Sequence, residues 1–108
     1  MLDIYYARGS TLVMPEDPSQ LEFAGSIDLD AHRALAALFE KGRLAGADLQ
    51  YFRDSILNPA QVAILLQAFM ANPPELEGSR QPLAAFDALR NLLAEAVGKG
   101  VGLVAFSD

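Results

Sequence analysis

His32 is the chain's single histidine, and Asp28 and Asp30 precede it at alternate positions. Two carboxylates and an imidazole are residue types that hold a divalent metal ion. The spacing argues against that use if Asp28 caps a helix. Successive residues then turn by about 100°, so the three side chains fan out instead of converging. Asp30 is then a carboxylate favoured by the positive helix N-terminus. Nucleophilic catalysis would need His32 as a base for a serine such as Ser10, Ser26, Ser55, Ser79 or Ser107. None of these sits in a Gly-x-Ser-x-Gly elbow. His32 also aligns with Phe86 of a similarly spaced helix further along, which predicts a partly buried packing histidine.

Other chemistries are equally poorly supplied. Gly98-Lys99-Gly100-Val101-Gly102 looks like a phosphate-binding loop, but such loops run strand, loop, helix. Here a predicted helix precedes the glycines and a strand follows, so its negative end would face the loop. Paired carboxylates, Asp48 with Asp54 or Glu75 with Glu77, could do acid–base work, as in glycosidases. No tryptophan accompanies them as a sugar platform. With no cysteine there is no thiolate nucleophile, disulfide or Cys-based metal site. No catalytic residue, cofactor or metal is expected from these residues, and no enzyme.

One segment has the composition of a binding surface. Asp48–Asn58 (DLQYFRDSILN) sets Tyr51, Phe52 and Arg53 between two aspartates. Aromatic and Arg side chains flanked by acids are typical of protein–protein hot spots. The predicted partner-binding residues are Asp48, Tyr51, Arg53 and Asp54. Phe52 and Ile56 are expected in the core, with Tyr51 left open between core and surface.

The charge balance fits such a surface, and it fits solubility alone equally. Fourteen carboxylates against eight Lys and Arg give a net charge of −6, and the pI is near 4.6. Such a surface repels nucleic acid and anionic membranes and steers basic partners inward. No basic stretch precedes an apolar run at the start, and no apolar run approaches the ~20 residues of a membrane span. The expectation is a soluble, cytoplasmic protein.

These residues must be positioned by a single domain over 1–108, since 108 residues suit one core. Leu2–Ala7 alternates as a strand. Arg8-Gly9-Ser10 signals a turn, Thr11–Met14 is β-prone, and Pro15-Glu16-Asp17-Pro18 breaks the chain. Leu21–Ile27 reads as a second strand with a bulge or end at Gly25. A helix is predicted from Leu29 to Lys41, capped by Asp28 and stopped by Gly42. Ala47–Leu57 is read as a short helix, although Leu49-Gln50-Tyr51 also tolerates a strand.

The next helix is marked more sharply: Asn58 caps, Pro59 opens the first turn and Gln61 completes a reciprocal box. Its apolar stripe is Val62, Leu65, Leu66, Phe69 and Met70, and Asn72-Pro73-Pro74 ends it. Ile64 lies off that stripe, as in a helix covered on two sides or meeting a second subunit. After a polar loop at Glu75–Pro82, a helix from Leu83 to Val97 presents Phe86, Leu89, Leu93 and Val97 and stops at Gly98. Val101–Phe106 is apolar on both faces, as suits a strand inside a sheet.

The fold class is α+β, or small α/β. It is a two-layer domain whose small sheet includes the N- and C-terminal strands and packs against three to four helices. The function expected is a small acidic protein-binding domain docking on a basic partner. Its size, acidity and poor catalytic equipment are shared by inhibitors, bacterial immunity proteins and antitoxins. The alternatives are a carboxylate- or metal-dependent enzyme and a homodimeric structural protein.

Overall fold

The computed structural model describes residues 1–7, 21–71 and 80–107. Four strands form one antiparallel sheet in the order β2-β1-β4-β3. They are β1 (Leu2–Ala7), β2 (Glu22–Ile27), β3 (Ser55–Leu57) and β4 (Gly102–Ser107). The helices are α1 (Leu29–Ala34), α2 (Ala36–Leu44), α3 (Pro59–Ala71) and α4 (Arg80–Lys99). They cover one face of the sheet, which makes the domain a two-layer α+β fold. The terminal strands β1 and β4 lie side by side at its centre.

Strand alternation sorts the sheet's two faces. Leu2, Ile4, Leu57, Leu103 and Ala105 point into the core beneath the helices. Tyr5, Phe23, Ile56, Val104 and Phe106 point the other way. β4 is buried over its first four residues, as expected of an interior strand. The register between β1 and β2 shifts between Ile4 and Tyr5, which puts the predicted irregularity beside Gly25.

Four expectations need correction. The helix from residue 29 is two helices broken at Leu35, whose φ of −108° and ψ of 11° leave the helical region. The break lets α1 lie against α4 while α2 lies against α3. Gly42 is no stop. It is buried inside α2, where a Cβ would run into the Leu65 side chain, so glycine permits a close approach of α2 to α3.

The stop is Gly46, at φ +109°. Gly46 N–H donates to Arg43 C=O (3.1 Å) and Ala47 N–H to Gly42 C=O (2.8 Å), the paired bonds of a Schellman ending. α4 likewise runs through Gly98 to Lys99 and ends with Gly100 at φ +68°. Val101 N–H reaches Ala96 C=O at 3.0 Å. The helix also begins at Arg80, inside the stretch read as loop.

The segment 47–57 is the fourth. It contains no helix: an extended run and a turn lead into β3, which pairs with β4. The predicted turn, β-prone stretch and proline break over 8–18, and the Asn72-Pro73-Pro74 ending, lie outside the described residues. α3 itself starts as expected, with Asn58 and Gln61 exchanging bonds of 2.8 Å in each direction.

Phe69 is fully buried at the meeting of three helices. Its ring packs edge-on to Phe39 of α2 at 5.9 Å and stacks on Phe86 of α4 at 5.7 Å. Phe69→Ala should lower the unfolding free energy by about 3–5 kcal/mol, measured by chemical denaturation. An exposed control on the same helix, Met70→Ala, should change it by less than about 1 kcal/mol.

Candidate functional site

The turn after α2 meets the α1–α2 junction in a cleft of about 280 Å³. Its helix side is formed by His32 of α1 and by Phe39, Glu40 and Arg43 of α2. Its other wall is the run Asp48–Phe52. The floor is aromatic. The His32 ring stacks on Tyr51 at 4.9 Å and 24°, tilts against Phe39 at 5.4 Å, and meets the edge of Phe52 at 6.0 Å. Tyr51 and Phe52 pack edge-to-face at 5.0 Å.

Local bonds hold this arrangement. Asp28 caps α1, its Oδ1 accepting from Ala31 N–H at 2.7 Å, and this sets His32 one turn into the helix. The wall from 48 to 55 is bonded to itself: Asp48 Oδ2 accepts from Gln50 Nε2 (2.8 Å), and Gln50 N–H donates to Ser55 Oγ (3.2 Å). The end of β4 then staples the turn. Ser107 N–H donates to Asp54 Oδ1 (2.8 Å), and Ser107 Oγ donates to Tyr51 C=O (2.9 Å).

The lining carries two carboxylates, Glu40 and Asp48, and one guanidinium, Arg43. Arg43 forks onto both oxygens of Glu40, and this hydrogen bond holds the Glu40 carboxyl below its usual range. Arg53 reaches Asp48 only at 3.6 Å; the Arg53 side chain is largely exposed and that of Asp48 partly so. Exposed pairs of that kind contribute about 0–1 kcal/mol. Burial among the rings lowers the pKa of His32 below its ordinary 6.5, so the imidazole is neutral at pH 7.

Of the four residues that composition points to as partner-binding, the structure brings three together. Asp48 and Tyr51 line the cleft, and Arg53 stands at its edge through Asp48. Asp54 is bonded to the end of β4 and is not part of the lining. Tyr51, left open before, is buried at 9% exposure, whereas Phe52, expected in the core, is 76% exposed. A helical 47–57 would align Phe52 with Leu49 and Ile56 on an inward face. The turn breaks that alignment. His32 is the packing histidine expected, and the rings beside it were hidden by sequence distance. Among the described residues, no three His, Asp or Glu side chains gather as a metal site.

Two other regions have recognisable chemistry. A smaller apolar cavity of about 120 Å³ lies between β2, α1 and α4, lined by small residues such as Ala24, Gly25, Ala85 and Ala88. At the far end of α4, Lys99 bridges Glu22 (3.4 Å) and Glu95 (3.5 Å) beneath the Tyr6 ring, tying the helix end to β2 and β1. No helix among the described residues is long and apolar enough to cross a membrane. Compared with family models, curated proteins and solved structures, the chain matches none at a significant level.

The His32 shift has a definite sign. A base whose folded pKa is lowered adds stability above its unfolded value of 6.5, lost as pH falls toward the folded value. Thermal melts from pH 7.5 to pH 5 should therefore show a larger loss of Tm for the native chain than for His32→Phe. Equal losses would mean that the imidazole charges in place without strain.

Proposed function

We propose that this protein is a small acidic binding domain, of the inhibitor, immunity-protein or antitoxin kind, that docks on a basic partner. The observation that carries the reading is Phe52, a large ring 76% exposed at the mouth of an aromatic cleft. Covering such a ring on association removes apolar area from water, and aromatic anchors of this kind dominate interface energies. The carboxylates around it suit a basic surface, and the net charge of −6 adds attraction at longer range. Arg53, beside Asp48 and exposed, sits at the rim, where charges set orientation more than affinity.

Affinity purification from the native cell at low salt tests this. A basic protein should be retained, and its affinity should fall by roughly tenfold or more as salt rises from about 0.05 M to about 0.5 M. Glu40→Gln with Asp48→Asn should slow its association. Retention that ignores both salt and this pair would sink the reading.

A second reading rests on the other face of the sheet. Tyr5 packs edge-on to Phe23 (5.4 Å) and Phe106 (5.7 Å), and Phe23 is 56% exposed. Among the described strand residues, Asp3 is the one charged group on that face, and its carboxylate already accepts from Ser26 Oγ at 2.7 Å. Covering these rings with the same face of a second chain would remove apolar area from water. Light scattering after size exclusion should show a dimer that Phe23→Glu dissociates. A monomer at all concentrations removes this reading.

A further inference from the structure

The cleft's dimensions and chemistry select one kind of occupant. At about 280 Å³ it falls just below the roughly 300–1,000 Å³ of small-molecule sites, and suits one long side chain. Its walls offer ring surface and its rim offers carboxylate oxygens, which together match a flat cation. We propose that the cleft receives a single arginine side chain, its guanidinium lying on Phe52 and bonded to Asp48. This deepens, and rests on, the reading of the protein as a binder of a basic partner.

Three observations support arginine. The lining holds two carboxylates against one guanidinium, and that guanidinium is already engaged with Glu40. Of the two lining carboxylates, Glu40 is held by Arg43, whereas Asp48 has only Arg53, from outside the lining, as its cation. Asp48 Oδ2, which accepts from Gln50 Nε2 at 2.8 Å, also faces the exposed Arg53 guanidinium at 3.6 Å, a loose contact that an incoming group can displace. The Arg43–Glu40 fork on the same rim shows the bidentate geometry that guanidinium allows and ammonium does not.

His32 makes this recognition pH-sensitive. The charged groups that share the cleft with it are Glu40 and Arg43 from α2 and Asp48 from the turn, with the Tyr51 ring stacked on it. With its pKa lowered by burial, the imidazole adds no positive charge beside Asp48 at pH 7. Once protonated it places a positive charge beside the guest and repels a cation.

The test is an NMR titration with the capped tripeptide Gly-Arg-Gly and with its citrulline counterpart, which keeps the shape and lacks the charge. The arginine peptide should shift the ring protons of His32 and Phe52 in a saturable way. Citrulline in its place, or Phe52→Ala, should weaken the apparent affinity by roughly fivefold or more. Phe52 is 76% exposed, so its truncation leaves the core intact, and an unchanged Tm checks this. Lowering the pH from 7.5 to 5.5 should weaken binding, and His32→Phe should flatten that profile.

Equal binding of the citrulline peptide, shifts confined to residues outside the cleft, or no shifts would overturn the inference. The two readings fail separately. Salt-sensitive capture of a basic partner that Phe52→Ala leaves unchanged would reject the arginine cleft and keep the binding domain. A cleft that saturates with the arginine peptide while the chain retains no basic protein would do the reverse.

Discussion

Phe69 fixes where three helices meet, and the position of the cleft follows from it. Its ring is fully buried, edge-on to Phe39 and stacked on Phe86. Phe39 in turn supports His32, and His32 supports Tyr51 and Phe52. A continuous row of rings thus runs from the middle of the core to the surface. Interiors are packed near crystal density, so a displacement at one ring is passed to the next. The exposed ring at the cleft mouth is therefore held by a core contact two helices away.

The second constraint is β4. It is paired on both sides with strands distant in sequence, β1 at the start of the chain and β3 in the middle. Its last residue reaches past the sheet to hold the turn at Tyr51 and Asp54. The wall of the cleft is consequently positioned from two directions. Aromatic packing sets its depth, and hydrogen bonds from the sheet end set its height. Loops held in this way present functional groups with little ordering cost on binding.

Electrostatics has a different role. The observed ion pairs are exposed, and such pairs contribute little to stability. The buried set contains no polar or charged residue among those described. Cohesion therefore comes from apolar packing, and none of the described carboxylates is buried. An acidic surface over an apolar core leaves the carboxylates available for recognition, and under the proposed function they serve it.

Local signals in the sequence determined much of the fold. Alternation at Leu2–Ala7, the reciprocal box at Asn58 and Gln61, and the doubly apolar run ending at Phe106 each act within a few residues of themselves. Their periodicity and capping chemistry are readable without knowing the neighbours. The break at Leu35 was decided by tertiary packing, because α1 and α2 have to meet different helices and no residue there marks it. The role of Gly42 was decided in the same way, by the approach of α3.

The candidate site divides along the same line. Asp48 and Tyr51 were visible by composition, but the exposure of Phe52 depends on a turn fixed by Ser107, over fifty positions along the chain. Sequence by itself determined the short-range elements and the acid excess. Which rings share a cleft was decided by the tertiary structure, because contacts between residues far apart in the chain leave no periodic trace in it.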